Sequence, residues 1–178
     1  NCKGKGFQSR WGDGPAYDDG DDVSNDLFME ANINNLLVQY CDEEGFWFDG
    51  PHDSRINNVI CGLNSHTSNG TYSGYYSGSR AGGTQVSNCH SWGEYQKYAF
   101  EIETGGSCFA NCYADEGYTS LVHINAVNVK WIGGNAIGGY IDTPPSTSDK
   151  ARKGFTFGTS AYYPMILANV VNCPKGAV

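Results

Sequence analysis

The sequence predicts an α+β protein: strand-rich antiparallel sheets carrying one N-terminal amphipathic helix, pinned by disulfides. Three observations carry that expectation. Residues 24 to 41 space their apolar side chains as a helix does, and short runs rich in aromatic and β-branched residues fill most of the remainder. Seven cysteines, Cys2, Cys41, Cys61, Cys89, Cys108, Cys112 and Cys173, are scattered from one end to the other. Scattered cysteines suit an oxidising compartment, where they become covalent staples. Zinc would need two knuckles, and the one close pair, Cys108-x3-Cys112, has no second. The odd count leaves one cysteine over, so the chain is expected to be a monomer with a disulfide-linked dimer open to it.

The helix rests on Met29, Ile33, Leu36, Leu37 and Tyr40, which recur at three- and four-residue intervals behind the N-capping candidates Ser24, Asn25 and Asp26. Asp18, Asp19, Asp21 and Asp22 precede it, where negative charge suits the positive end of a helix dipole. Strands are expected at Phe46 to Phe48, Asn58 to Cys61, Tyr98 to Glu103, Tyr118 to Trp131, Phe155 to Phe157 and Met165 to Val171. From Leu121 to Trp131 the alternation is cleanest, with Leu121, His123, Asn125, Val127, Val129 and Trp131 on one face.

A single compact unit over 1–178 is the expected organisation. The alternative is a helix-containing subdomain over 1–75 and a β-rich one over 90–178, because Gly62 to Asn88 is dominated by Ser, Gly, Thr, Tyr and Asn and reads as a loop region or linker. One short echo is present: Trp11-Gly-Asp-Gly-Pro15 and Trp47-Phe-Asp-Gly-Pro51 share Trp-x-Asp-Gly-Pro. Two copies fall short of a repeat protein, and two similar Asp-Gly turns explain them.

A formal charge of −8 and a pI near 4.8 argue against a phosphate-backbone partner, which needs clustered Lys and Arg. No apolar run reaches the length of a membrane span. The chain starts without methionine or an apolar leader and reads as a processed, secreted, extracellular form. Asn69-Gly70-Thr71 is an N-glycosylation sequon, making Asn69 the glycosylation candidate.

No motif carries a catalytic residue, and no cofactor or metal is expected. The acidic stretch Asp13 to Asp26 fits no EF-hand register, so solvated charge explains it better than calcium. There is no Gly-x-Ser-x-Gly elbow, and the glycine-rich Gly133 to Gly139 lacks a Gly-Lys-Ser/Thr ending. The histidines are His52, His66, His90 and His123; Glu101 and His123 both fall on expected strands, the rigid placement an acid-base pair wants. Cys89 beside His90 argues against a thiol nucleophile, since neighbours on a strand point to opposite faces. Tyr72, Tyr75, Tyr76, Trp92 and Tyr95 lie in a polar region with little core to join. Such rings suit either sugar stacking or a protein interface.

Asn1-Cys2-Lys3-Gly4, the helix running into a glycine-bounded strand at Cys61, and Gly106-Ser-Cys-Phe-Ala110 resemble patches of cysteine-rich secreted fungal killer-toxin-like and plant-infection effector proteins. That resemblance implies an α+β sandwich-like extracellular virulence protein acting by binding. The expected function is thus a secreted effector, toxin or elicitor recognising a protein receptor or cell-surface glycan. A lectin-like glycan-binding module and a small secreted hydrolase such as a ribonuclease are the alternatives.

Overall fold

A computed structural model describes residues 2–10, 30–138 and 153–173. Every regular element among them is a strand, and every pairing is parallel. In chain order these are β1 (Phe7–Arg10), β2 (Asn32–Gln39), β3 (Phe46–Asp49), β4 (Arg55–Gly62), β5 (Tyr75–Ser77), β6 (Gln85–Ser87) and β7 (His90–Trp92). They continue with β8 (Tyr98–Ile102), β9 (Cys108–Ala110), β10 (Tyr113–Asp115), β11 (Ser120–Ile124), β12 (Lys130–Ile137), β13 (Lys153–Phe157) and β14 (Met165–Val171).

A six-stranded sheet runs β1-β3-β5-β8-β11-β13, and an eight-stranded sheet runs β10-β7-β4-β6-β9-β12-β14 with β2 against β4 and β10 also against β12. Strands adjacent in the six-stranded sheet are separated in sequence by passage through the eight-stranded one. Parallel strands need a crossover, and here the crossover is itself strand. The chain therefore winds as a parallel β-helix, each turn adding one rung to every face.

Asparagine splits the larger sheet into two faces. Asn35, Asn58, Asn88 and Asn111 all hold positive φ, between 53° and 59°, at one level of successive rungs; Gly133 and Gly134 do so at the next. Each bends the backbone, so the eight-stranded sheet divides into a first face (32–34, 55–57, β6, β9, 130–132, 165–167) and a second (36–39, 59–62, β7, β10, 135–137, 169–171). Asparagine tolerates this region because its short amide bonds locally. Asn58 Nδ2 donates to Asn35 Oδ1 at 2.8 Å and Asn88 Nδ2 to Asn57 Oδ1 at 2.9 Å, tying rung to rung. The six-stranded sheet is the third face.

These corners overturn the helix expected over 24–41. Residues 32–39 are strand β2, whose inward side chains are Ile33, Leu36 and Val38. The corner at Asn35 inserts one residue between two alternating segments, which turns a two-residue spacing into a three-residue one and imitates a helical face. Residues 24–29 lie outside the described residues. The same in-out-corner-in-out-in pattern recurs as Ile56-Asn-Asn-Val-Ile-Cys61, Val86-Ser-Asn-Cys-His-Ser91 and Phe109-Ala-Asn-Cys-Tyr-Ala114. The α+β class, its antiparallel sheets and the sandwich implied by the effector resemblance give way to an all-parallel solenoid.

The disulfide staples are overturned too. All seven cysteines, Cys2, Cys41, Cys61, Cys89, Cys108, Cys112 and Cys173, are free thiols. Cys61, Cys89 and Cys112 occupy inward positions of the repeating pattern, where a small apolar side chain packs against the rungs above and below. Cys108 lies on the outer side of β9 while Cys112 is buried, so that close pair straddles the wall. Cys2 bridges to Cys41 through its backbone near the start of the solenoid and Cys173 follows β14 at the other end, so those two tie nothing together. Burial pushes the Cys61 thiol well above its usual range, and the hydrogen bond that Cys112 donates to the Cys89 sulfur, together with burial, does the same for Cys112 while drawing Cys89 below its usual value. Millimolar reductant should leave the melting temperature unchanged by circular dichroism; a drop of several degrees would require a bridge.

The core fills the space between faces. On the third face Phe7, Phe46, Tyr75, Phe100, Val122 and Phe155 share one inward column. Phe7 stacks on Phe46 at 4.7 Å and Phe46 on Tyr75 at 4.8 Å between ring centroids, the spacing of strands in a sheet. From the first face Phe109 and Trp131, stacked at 5.7 Å, meet Phe100 and Phe155 edge-on. The Gly62 to Asn88 stretch contributes β5 and β6 to the middle of this arrangement. No helix among the described residues is long and apolar enough to cross a membrane.

Candidate functional site

Because side chains alternate across a strand, the residues between the inward columns of the third face form an outward one. It runs Gln8, Trp47, Tyr76, Glu101, His123 and Thr156, one residue per rung along the solenoid axis. Trp47 and Tyr76 are half-buried and stack with centroids 5.7 Å apart and planes 10° from parallel. Lys5 stands over both Trp47 and Tyr72, with Nζ 5.8 and 6.0 Å from their centroids, and pairs with Glu43 at 2.7 Å and Glu44 at 3.0 Å.

The next two rungs carry polar chemistry. Glu101 accepts a hydrogen bond from Ser73 Oγ at 2.6 Å and lies 3.6 Å from Lys97 Nζ, which in turn covers Tyr98. His123 is directly across the register from Glu101. Its ring stacks on Tyr98 at 4.6 Å, and its Nδ1 lies 2.9 Å from Thr156 Oγ1. Burial lowers the imidazole pKa below its usual 6.5, against a weaker upward pull from Glu101, so His123 is neutral at pH 7. The Tyr76 hydroxyl is held well above its usual range by burial, then by the negative charge of Glu103, Asp49, Glu101 and Glu44. Asp49 is itself held by Arg80, whose backbone N–H and Nη1 both reach it. Beside Glu103 a shallow cleft of about 370 Å³ opens along Asn125 and Ser160.

Of the aromatic candidates, Tyr76 belongs to this column and Tyr72 borders it through Lys5. Tyr75 does not: it is fully buried in the inward stack, because the residue next to an outward one points in. Trp92 is on the second face, lying flat over Gly62, where a Cβ would come within 2.8 Å of the indole. Tyr95 sits in the loop after β7, edge-on to His66, which also meets Tyr40. Trp47, from the second Trp-x-Asp-Gly-Pro copy, joins the column although the sequence does not single it out as a binding residue; the alternation Phe46 in, Trp47 out, Phe48 in is the signal that marks it. Among the histidines, His52 bonds Asp53 at 2.7 Å and His90 meets Tyr113 edge-on on the second face, so His123 alone joins Glu101. Asn69 is exposed in a turn before β5. The acidic stretch Asp13 to Asp26 and the first Trp-x-Asp-Gly-Pro copy lie outside the described residues.

No family model, curated protein or solved structure matches this chain. The outward column must therefore be read by its own chemistry.

One carboxyl off this face shows what burial does without a partner. Asp115, on the second face beyond Tyr113, is pushed up to about 6 by burial and then by Glu116. Its folded pKa exceeds the ordinary 3.8, so the native state binds the proton more tightly and stability rises as pH falls through 6 towards 4. Asp115→Asn should raise the unfolding free energy at pH 7.5 by about 1 kcal/mol, the full shift being discounted for a half-exposed group. In urea titrations that gain should shrink by pH 4.5; an equal gain at both pH values would contradict this cause.

Proposed function

We propose that the protein binds an extended extracellular glycan along its third face. The observation that carries this reading is the outward column itself, in which a stacked Trp47 and Tyr76 lead into Glu101 and His123 on consecutive rungs. Pyranose rings present apolar C–H faces that lie on indole and phenol rings, while carboxylate, imidazole and hydroxyl groups take their hydroxyls. Rungs about 4.8 Å apart repeat on the scale of one sugar per rung, and the parallel ladder fixes every side chain in advance, so little ordering is required on binding. This favours the lectin-like alternative over an effector or toxin that recognises a protein receptor, because the core of a protein interface is depleted of charged side chains and this column sets Glu101, paired with Lys97, next to its rings.

Screening immobilised linear polysaccharides, followed by calorimetry on those retained, tests the proposal. Binding of at least one extended chain, with monosaccharides much weaker, is expected; retention of none would overturn it. The pairing of Glu101 with neutral His123 favours a second reading, hydrolysis. Appearance of new reducing ends during incubation with the retained polysaccharide would shift the assignment from binding to cleavage.

A further inference from the structure

The first face carries a separate cleft of about 640 Å³ over its early rungs. Its floor is two outward columns, Asn32, Arg55 and Gln85 in one and Asn34, Asn57 and Ser87 in the other. Glu30 and Asp53 close its rim, with Gly83 beside Asp53. Of the first face's inward column, Ile33, Ile56 and Val86, only Ile56 reaches the lining, so the cleft floor is mainly hydrogen-bonding groups.

Those groups have capacity left over. Asn34 Nδ2 donates to Asn32 Oδ1, leaving Asn32 Nδ2 and Asn34 Oδ1 without a partner among the described residues. Asn57 Oδ1 receives both Ser87 Oγ at 3.0 Å and Asn88 Nδ2 at 2.9 Å, which fixes its orientation and points its amide donors away. Gln85 makes no side-chain bond, and the exposed Arg55 guanidinium has no carboxylate within salt-bridge distance among the described residues. Amides offering donors and acceptors at fixed two-residue and one-rung intervals, with a five-donor guanidinium between them, match the hydroxyls of a sugar. With one cation against two carboxylates the cleft has no excess of positive charge to hold a phosphate or a polyanion.

We propose that this cleft is a second saccharide site, taking a neutral sugar unit through its hydroxyls, with Arg55, Asn57 and Gln85 as its principal contacts. It is separate from the third face, so it stands or falls independently of the reading above.

The test is side-chain amide NMR on the full chain titrated with a panel of neutral oligosaccharides (cello-, malto-, xylo-, manno- and chito-oligomers). At least one should shift the Asn32, Asn57 and Gln85 amide signals saturably. In Arg55→Ala and Gln85→Ala the dissociation constant from those signals should weaken roughly tenfold, the cost of one or two hydrogen bonds. A Trp47→Ala, Tyr76→Ala protein should retain it, which separates this site from the third face. Signals unmoved by every oligosaccharide, or affinity within threefold of the parent in both cleft variants, would overturn the proposal; both side chains project from the outside of the wall, so folding should be preserved.

Discussion

Trp131→Ala should lower the free energy of unfolding by about 3–5 kcal/mol, the range for removing a fully buried large aromatic side chain. Trp131 is completely buried and is where the two walls meet: it stacks on Phe109 from its own face and takes Phe100 and Phe155 edge-on from the third. Alanine leaves a cavity bounded by parallel ladders on both sides, which have no freedom to collapse into it. Rungs in a solenoid are stabilised through their neighbours, so β12 to β14 should loosen with the core. Trp131→Phe should cost much less, because the indole Nε1 is buried without a hydrogen-bond partner and its removal relieves that burden. Guanidinium titrations followed by far-ultraviolet circular dichroism measure both. A loss below 1 kcal/mol for alanine, or equal losses for the two variants, would show that Trp131 does not join the walls as described.

Trp47→Ala combined with Tyr76→Ala should weaken binding of the retained polysaccharide at least thirtyfold, as loss of a central aromatic anchor costs about 2 kcal/mol or more. The two rings form one stacked platform, so the single variants should each give most of the loss and not add. Trp92→Ala is the informative control. Trp92 lies over Gly62 on the second face, so affinity should stay within a factor of two. Both sets are read by calorimetry against melting temperature, since half-buried outer rings contribute less to the fold than inward ones. An unchanged dissociation constant in the double variant would remove the third face as the binding surface, and a loss in Trp92→Ala would move the site to the second.

Several strands were legible because their alternation is undisturbed: Phe46 to Phe48 and Tyr98 to Glu103 lie close to β3 and β8. The run from Leu121 to Trp131 was clean but spans a corner, so β11 and β12 occupy different walls. Parallel pairing left no mark in the alternation, which depends only on one face being buried. The repeat went unseen because loops of unequal length separate its copies, the residues between β4 and β5 being more numerous than those between β10 and β11. Within the candidate site, Tyr76, Glu101 and His123 were each noticed, yet residues far apart in sequence are assigned to one column only by register.

The sequence by itself determined that this is an acidic, strand-rich chain with enough apolar residues for a core, a sequon at Asn69 and a high aromatic content. Those properties follow from composition and local alternation. Only the tertiary structure decided that Ile33, Leu36 and Val38 belong to a bent strand, that Cys61, Cys89 and Cys112 line a wall as free thiols, and that Trp47, Tyr76, Glu101 and His123 stand in one file. The physical reason is the same in each case. A single asparagine in the left-handed region shifts the phase of the apolar pattern, and the parallel ladder then brings each rung into register with the next, a long-range choice that no local window of sequence contains.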